Sequence, residues 1–452
     1  MRFEYTICAL ATPPAGALAI IRVSGARSLC IVSDIFSKNI TDAKGYTMHY
    51  GNILDKDGTR IDEVLITVFR APHSYTGEDS VEISCHGSRY IVNKVLERLV
   101  DNGCHMAEPG EYTMRAYLNG KMDLSQAEAV ADLIASTNKA THQLAMNQLR
   151  GHYSTKLVQL REQLLKLTSL LELELDFSDH EELEFADRSE LITLAKLIDE
   201  HITTLYKSFE TGQAIKQGIP VAITGKTNVG KSTLLNALLN DERAIVSDIH
   251  GTTRDTIEDT MDINGVTFRF IDTAGIRHTT DEVEQIGIER TYQAIRKANI
   301  IIWMVDQEPT QKELHEMTAL CKDKAVIPVF NKSDIKEITN LHFSISDTQI
   351  LRLSAKKGTG IENLKNEIYK QAHLDSLMTN EVIVTNARHY DALLRAHESI
   401  QHVINGLQDQ ITGDLLAEDL RQALSILSEI TGGQITPQET LNNIFSHFCV
   451  GK

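Results

Sequence analysis

One segment limits the folds open to this chain more than any other. Residues 225–232 read Gly-x-x-x-x-Gly-Lys-Ser. They lie between residues 219–224, an apolar run typical of a short strand, and residues 233–239, which have a helical pattern. In that context the glycines let backbone N–H groups turn toward an anion, as in a phosphate-binding loop. The sequence therefore predicts an α/β domain built on a parallel sheet.

The polar residues around this loop suit the phosphates of a nucleotide. Lys231 would neutralise the β and γ charges, and the Ser232 hydroxyl would bind Mg²⁺. Residues 272–275, Asp-Thr-Ala-Gly, follow a predicted strand and would bring a carboxylate to the Mg²⁺ shell. In residues 251–255, Thr253 would complete that shell while a γ-phosphate is present. These positions predict a switch that responds to hydrolysis.

Two further segments identify the base. Residues 331–334, Asn-Lys-Ser-Asp, follow another predicted strand. The Asp334 carboxylate can accept the N1–H and the exocyclic N2–H₂ of guanine, a pair of donors that adenine does not offer on that edge. Residues 354–356, Ser-Ala-Lys, would bring a backbone N–H to the guanine O6. The ordered motifs predict a GTP hydrolase.

The residue after the Asp-Thr-Ala-Gly segment sets a problem for hydrolysis. Ile276 stands where many small GTPases keep a Gln that orients the attacking water. Hydrolysis therefore needs another arrangement. The local candidates are Asn228 in the phosphate-binding loop and the acidic residues at 281–284, although an acidic run is most often a solvated face.

Composition limits the partners and the compartment. The chain has 45 Lys and Arg against 62 Asp and Glu, a net charge of −17, which disfavours non-specific binding to nucleic acid or anionic membrane. Any RNA contact must be local or shared with a partner. Its 6 cysteines lack metal or disulfide spacing. The longest apolar run, residues 300–305, is far shorter than the roughly 18 residues of a membrane helix, so we expect a cytoplasmic protein.

The pattern of strands and helices divides the chain into four segments. Residues 1–118 read as an α/β domain, with strands at 19–23 and 64–69 and a helix at 91–100, and residues 119–213 read as helical. Residues 216–373 read as the GTPase domain, in which residues 264–265, Asn-Gly, predict a hairpin turn. Residues 374–452 read as helical again, with helical spacing at 393–404, 415–430 and 441–448. Because two helical segments flank the GTPase block, we expect one discontinuous helical domain into which the GTPase domain is inserted.

Helix signals support the helical segments. Leucines recur every three or four residues between positions 157 and 175, which predicts one long helix that buries this stripe. Ser125 with Glu128, and Asp187 with Glu190, have the spacing of capping boxes that begin helices.

Motifs outside the GTPase block carry a more specific resemblance. They are residues 11–14, 21–25, 72–79, 85–87, 109–113, 119–124 and 449–452. Together with the GTPase motifs they resemble, over essentially the whole chain, the bacterial and organellar tRNA-modification GTPases called MnmE or TrmE. General GTPases share only the middle block.

The resemblance implies a fold and a reaction. The N-terminal α/β domain would bind a tetrahydrofolate derivative (5-formyl- or 5,10-methylene-tetrahydrofolate) and dimerise, beside a discontinuous helical domain and an inserted Ras-like P-loop GTPase domain. The homodimer would form a heterotetramer with MnmG (GidA), which uses FAD and NADH. Together they would add a carboxymethylaminomethyl or aminomethyl group to C5 of the wobble uridine, U34, of certain tRNAs. GTP hydrolysis, stimulated by K⁺, would drive a conformational change.

The resemblance also implies roles for individual residues. Glu284 would orient the hydrolytic water, and Cys449 is a candidate functional thiol. The K⁺ ligands would be Asn228, Ser247, Ile249 and Thr252, and the Mg²⁺ ligands Ser232 and Thr253. The folate ligands would be Arg22, Glu78, Lys121 and Lys452. The GTP-binding residues would be Asn228, Val229, Gly230, Lys231, Ser232, Thr233, Ser247, Asp248, Ile249, His250, Gly251, Thr252, Thr253, Asp272, Thr273, Ala274, Gly275, Asn331, Lys332, Asp334, Ser354, Ala355 and Lys356.

Two other functions compete with this hypothesis. A GTP-switched ribosome-assembly or RNA-remodelling factor shares the central motifs, but it would be expected to carry a basic RNA-binding domain. A stand-alone folate enzyme with a regulatory GTPase insert is the other. Loss of reduced-folate binding in Arg22→Ala would argue against the first, and dependence of tRNA modification on an FAD partner would argue against the second.

Overall fold

The chain forms two compact units, which are described separately. The structure, a computed structural model, describes residues 4–176, 188–240, 259–271, 292–322, 324–335, 349–372, 382–433, 438–446 and 448–451. Unit 1 comprises Met1–Ala135, Ala145–His201 and Ala392–Lys452, and unit 2 comprises Ser136–Leu144 and Ile202–Asp391. The predicted four-segment boundaries stay a prediction.

Unit 1 contains a mixed six-stranded sheet. Its strands are β1 (Thr6–Leu10), β2 (Leu18–Ser24), β3 (Thr47–Leu54), β4 (Arg60–Phe69), β5 (Ser80–His86) and β6 (Cys104–Met106), in the order β3-β4-β5-β2-β1-β6. Neighbours are antiparallel except β1 and β6. Helices α1 (Ser28–Ile35) and α2 (Arg89–Asp101) share an apolar core with this sheet. The predicted strands at 19–23 and 64–69 and the helix at 91–100 are confirmed.

Five described helices follow the sheet of unit 1 in the chain, and one of them carries the leucine stripe. In chain order they are α3 (Glu111–Leu118), α4 (Leu124–Ala135), α5 (Lys139–Leu149), α6 (His152–Asp176) and α7 (Arg188–Gln217), of which α5 and α7 belong partly to unit 2. Leucines 157, 160, 164, 167 and 171 are buried along α6, which confirms the predicted long helix. None of the helices in the described ranges combines the length and the hydropathy of a membrane-spanning segment.

The start of α4 differs from the predicted capping box. Ser125 is the second residue of the helix, and the cap is Asp123. The Asp123 carboxylate accepts from the Gln126 N–H at 2.9 Å, and the Gln126 side chain accepts from the Asp123 N–H at 2.9 Å. The prediction of Ser125 with Glu128 is therefore wrong, because a reciprocal box two residues earlier satisfies the first N–H groups. The other predicted cap, Asp187, lies outside the described residues.

Unit 2 contains the predicted parallel sheet. Its strands are β7 (Ile219–Gly225), β8 (Asp259–Ile263), β9 (Val266–Phe270), β10 (Ile300–Val305), β11 (Ala325–Phe330) and β12 (Leu351–Arg352), in the order β12-β11-β10-β7-β9-β8. All neighbours are parallel except β8 and β9. Helices α8 (Lys231–Asn240), α9 (Gln311–Leu320) and α10 (Ile361–Gln371) follow β7, β10 and β12. The carboxyl ends of β7, β10 and β11 therefore meet at one edge, where such sheets bind ligands.

The first turn of α5 packs into unit 2. Ala140 is buried in the unit 2 core and donates its N–H to the Gly265 carbonyl at 2.9 Å. The Asn138 amide donates to the Thr267 hydroxyl at 2.8 Å. Gly265 lies in the predicted β8–β9 hairpin turn, where it and Asn264 have positive φ angles of 81° and 53°. The segment before the leucine stripe thus covers the hairpin of the α/β unit.

The observed cap of α4 leads to a stability prediction. Asp123→Ala should lower the free energy of unfolding of unit 1 by about 0.5–2 kcal/mol, because it removes the acceptor for the first turn. Asp123→Asn is the matched control and should stay within a few tenths of a kcal/mol of wild type, since Asn caps equally well. Urea unfolding followed by circular dichroism measures both. Equal losses in the two variants would contradict the assigned cap.

The C-terminal helices complete unit 1. They are α11 (Ala387–Gln408), α12 (Gly413–Thr431) and α13 (Gln438–Ser446), and the first of them begins in unit 2. Helix α6 packs along α12. Phe445 and Phe448 pack with Leu124 of α4, which ties the end of the described chain to the helices nearest the first sheet. The helices expected between residues 393 and 448 are confirmed.

Candidate functional site

The phosphate-binding loop requires glycine at both ends. Gly225 has a φ of 144°, and a Cβ there would lie 2.3 Å from the Met304 carbonyl oxygen. Gly230 has a φ of 103°, and its Cβ would lie 2.4 Å from the Asn331 amide nitrogen. Any larger residue would be both strained and obstructed. The loop between β7 and α8 is therefore built as the motif predicts.

The loop lysine begins α8. The Lys231 ammonium donates to the carbonyl oxygens of Gly225 and Lys226, each at 2.8 Å. Burial lowers the pKa of this amine, and an anion bound at the helix N-terminus would oppose that shift. Ser232 and Thr233 follow in the first turn of the helix, where backbone N–H groups have no partner within the helix. The arrangement suits phosphate oxygens.

Asn331 joins three loops of the site. Its side chain is buried, donates to the Val229 carbonyl at 2.7 Å, and accepts from the Ala355 N–H at 3.0 Å. One amide thus connects the phosphate-binding loop, the end of β11 and the loop after β12. The structure brings together the three motifs that the sequence analysis assigned to phosphate and base.

Lys332 ties the same edge to a residue that the sequence analysis missed. Its ammonium donates to the Asn228 carbonyl at 2.9 Å and to the Asp306 carboxylate at 2.8 Å. Asp306 directly follows the buried strand β10. A carboxylate just after a continuous apolar strand was the signal that could have identified it. Both Asn228 and Lys332 have positive φ angles, 60° and 63°.

The Asp334 carboxylate is held ionised. A hydrogen bond from the Ser354 hydroxyl is the main cause that lowers the pKa of Asp334. The Lys357 ammonium lies 3.7 Å from the Asp334 carboxylate and acts in the same direction. Since an ionised carboxylate is acceptor-only, Asp334 suits the two N–H donors on the guanine edge. Lys356 is exposed.

Part of the predicted nucleotide site lies outside the described residues. These positions are Ser247, Asp248, Ile249, His250, Gly251, Thr252, Thr253, Asp272, Thr273, Ala274, Gly275 and Glu284. Lys452 of the predicted folate site lies outside them too. Their assigned roles stay predictions.

A second cluster of predicted site residues lies in unit 1, around Arg22 on β2. The Arg22 guanidinium donates to the Glu82 carboxylate at 3.0 and 2.8 Å and to the Gly451 carbonyl at 3.2 Å. It lies 5.6 Å from the centroids of the Tyr75 and Tyr112 rings. Strand pairing places Glu82 opposite Arg22. Residues from both ends of the sequence therefore meet at this cation.

Glu78 lies in the loop before β5 and is held by two donors. The Ser24 hydroxyl donates to one carboxylate oxygen at 2.8 Å, and Arg115 lies 3.2 Å from both oxygens. Arg115 also binds the Glu111 carboxylate at 2.8 Å. Ser24 and Arg115 were missed as site residues, although both adjoin or lie within sequence motifs, because their long-range partners leave no local signal.

The other members of this cluster are more accessible. Lys121 donates to the Pro72 carbonyl at 3.0 Å, so its ammonium lies on the same loop as Tyr75 and Glu78. Cys449 is exposed, and its carbonyl accepts from the Gly110 N–H at 3.5 Å. The structure thus brings Arg22, Glu78 and Lys121 to one loop.

The donors and acceptors of this cluster suit a reduced folate. Glu78, Glu111 and Arg115 combine two carboxylates with one guanidinium, so the Glu78 end attracts N–H donors such as those of a pterin ring. Lys121 can attract the anionic glutamyl tail. Arg22 is already paired with Glu82, so it offers less free charge to an anion than the sequence suggested.

The closeness of Gly230 to Asn331 generates a prediction. Gly230→Ala should weaken binding of guanine nucleotide about tenfold or more. The added methyl group would push the Asn331 side-chain amide away, and alanine at position 230 would be strained by the positive φ. Gly218→Ala is the matched control: φ there is also positive, at 88°, but the new Cβ would meet only ordinary contacts from 3.4 Å. Fluorescence titration with a labelled GDP measures both. Similar nucleotide affinities for the two variants would show that the close approach of Gly230 to the Asn331 amide does not matter for binding.

Two family models together match most of the chain. A family model described as "GTP-binding protein TrmE N-terminus" matches residues 6–121, and one described as "MnmE helical domain" matches residues 124–449. Among solved structures, the FeoB G-domain from Methanococcus jannaschii covers 34% of this chain and 96% of its own length at 28% identity. Its TM-score of 0.25 is too low for any inference.

Two curated relatives are similar over nearly the whole chain. The tRNA modification GTPase MnmE of Phocaeicola vulgatus is 53% identical over 99% of this chain and 99% of its own. The protein of the same name from Bacteroides thetaiotaomicron is 52% identical, with the same coverage. This chain therefore belongs to the MnmE, or TrmE, family of tRNA modification GTPases.

Proposed function

We propose that this GTP hydrolase couples a K⁺-stimulated nucleotide cycle to one-carbon chemistry on tRNA. With an FAD- and NADH-using partner of the MnmG type, it adds a carboxymethylaminomethyl or aminomethyl group to C5 of the wobble uridine, U34. GTP hydrolysis drives a conformational change and does not make the new bond. The protein acts in the cytoplasm as a homodimer that joins the partner in a heterotetramer.

The nucleotide half of the proposal depends on groups at one sheet edge. Lys231 and the first turn of α8 bind the phosphates, and Asp334 with the Ala355 loop reads guanine. Glu284 orients the water indirectly. Because Ile276 has no hydrogen-bonding side chain, the attacking water has to be oriented by another group.

Oxygen donors in the loops suit the two cations of the proposal. Ser232 with Thr253 would hold Mg²⁺, and Asn228 with Ser247, Ile249 and Thr252 would hold K⁺. Bound there, the cations supply positive charge against the negative charge that develops during hydrolysis. Asn228 fits this role because it is exposed in the loop and its positive φ is one that Asn tolerates.

The folate half of the proposal depends on the cluster around Arg22. Glu78 would accept from the pterin ring, while Arg22, Lys121 and Lys452 would bind the remainder of the ligand. A reduced folate bound there supplies the one-carbon unit. Tyr75 covers the Arg22 guanidinium, which leaves the loop carrying Glu78 packed against the same cation.

One observation carries the proposal beyond GTP hydrolysis. The Arg22 guanidinium on β2 donates to the Gly451 carbonyl across 429 residues of sequence, beside the loop that carries Glu78. GTP binding and hydrolysis alone do not require this cluster of charged and aromatic groups, which lies in the unit that does not carry the nucleotide site. Paired with full-length similarity to tRNA modification GTPases, it supports a second ligand site in the same chain.

The cation requirement can be tested in the loop itself. GTP hydrolysis should be more than about tenfold faster in KCl than in NaCl, because K⁺ would replace a missing positive side chain. Asn228→Gly should abolish that difference, since Gly keeps the positive φ and removes the side-chain amide whose oxygen would bind K⁺. Thr227→Ala, at the exposed neighbour, is the control and should respond to K⁺ normally. Equal rates in both salts for wild type would overturn the K⁺ proposal.

The reaction can be tested on the tRNA. Deleting this gene should remove the C5 substituent from the wobble uridine, as measured by mass spectrometry of nucleosides from purified tRNA. Re-expressing wild type should restore it, whereas Lys231→Ala should not, because the switch needs bound phosphates. Unchanged nucleosides in the deleted strain would argue for the ribosome-assembly alternative. Modification that persists without the FAD partner would argue for a stand-alone folate enzyme.

A further inference from the structure

Two fully buried side chains hold the Glu78 carboxylate. Ser24 and Arg115 both have 0% exposure, whereas the Glu78 side chain is 16% exposed. The Ser24 hydroxyl lies 2.8 Å from the carboxylate oxygen Oε2, and the Arg115 Nη1 lies 3.2 Å from both oxygens. The two holding groups are therefore inside the protein, and the group they hold reaches toward its surface.

Arg115 is itself fixed from three sides. Its Nε and Nη2 donate to the Glu111 carboxylate at 3.2 and 2.8 Å, and its Nη1 also donates to the Tyr5 carbonyl at 3.1 Å. The Tyr5 ring lies 4.9 Å from the guanidinium carbon. Because a guanidinium presents its donors in a rigid fork, these contacts fix the direction of the Nη1 that faces Glu78.

The hydroxyl hydrogen of Ser24 is committed as well. A serine hydroxyl has one hydrogen and two lone pairs. The Ser80 hydroxyl donates to Ser24 at 3.1 Å, and the Thr76 hydroxyl lies 2.7 Å away. With Thr76 also donating, both lone pairs of Ser24 are filled, and its hydrogen goes to Glu78. A small buried network thus aims one donor at this carboxylate.

The hydrogen-bond count on Glu78 shows what is left for a ligand. A carboxylate has about four acceptor positions, two on each oxygen. Within the described part of the chain, Oε2 accepts from Ser24 and Arg115, and Oε1 accepts from Arg115 alone. One position on Oε1 therefore remains for a donor from outside.

We propose that Ser24 and Arg115 are positioning residues of the folate site. They fix Glu78 so that Oε1 presents one acceptor to an N–H of the ligand, and they touch no ligand atom themselves. The inference rests on the proposed folate function. If the cluster had only a structural role, loss of the Ser24 hydroxyl would lower stability without changing how Glu78 binds the ligand.

The test measures binding of 5-formyltetrahydrofolate to the full chain by isothermal titration calorimetry. Ser24→Ala should weaken binding about tenfold, as expected when a hydrogen bond to a charged group is lost. Ser28→Ala is the matched control: Ser28 is also fully buried, but it donates to the Asp79 carbonyl at 2.9 Å and not to Glu78. This control should change affinity by less than about twofold. Far-UV circular dichroism and urea unfolding of each variant confirm that unit 1, which carries these residues, is folded.

A double-mutant cycle isolates the pathway through Glu78. Glu78→Ala should itself weaken binding, because it removes the acceptor. Ser24→Ala added to Glu78→Ala should cause no further loss, since the hydroxyl would act only through the carboxylate. Arg115→Lys offers a second arm, because an ammonium cannot reproduce the fork that reaches Glu111 and Glu78.

Each outcome decides between the two levels of the proposal. If wild type binds no 5-formyltetrahydrofolate at millimolar concentration, the folate function fails, and the positioning role fails with it. If wild type binds and Ser24→Ala binds equally well, the positioning role alone is overturned. The same holds if the loss caused by Ser24→Ala is as large in the Glu78→Ala background as in wild type.

Discussion

The side-chain amide of Asn331 connects the loops that make the nucleotide site. It needs a donor for the Val229 carbonyl and an acceptor for the Ala355 N–H at the same time. A side-chain amide provides both, whereas an ionised Asp of the same length cannot donate. The same amide nitrogen leaves no room for a side chain at position 230, so the amide can keep its position only while that residue is glycine. Asn331 therefore holds the phosphate-binding loop and the loop after β12 in a fixed relation to each other.

The nucleotide half of the fold was predictable because its chemistry is local. The phosphate-binding loop, the Asn-Lys-Ser-Asp segment and the strands before them follow from residue order alone, and β7 and β11 appear where expected. Asp306 was missed because its partner, Lys332, is 26 residues away. The α4 cap was misassigned because two overlapping four-residue patterns compete there, and only the structure shows which N–H groups are satisfied.

The charged cluster of unit 1 could not be derived from spacing. Resemblance alone pointed to Arg22 and Glu78, and the partners that determine their behaviour come from distant segments. Glu82 is opposite Arg22 only through the register of β2 and β5. A buried Arg115 is costly unless paired, and its pairing with both Glu111 and Glu78 explains how the sequence tolerates it. Strand register and burial are long-range properties, which local motifs do not encode.

The packing of α5 on the β8–β9 hairpin affects any attempt to study the GTPase domain alone. A fragment cut at residues 216–373 would lose Ala140, Leu144 and Ile215 from the apolar core of unit 2. It would also lose the Asn138 contact to Thr267. This fragment would expose apolar core side chains and the β8–β9 hairpin to water, and would tend to aggregate. Kinetics measured on it would describe a damaged domain, whereas extending the excision to include Ser136–Leu144 and the end of α7 would preserve the native surface.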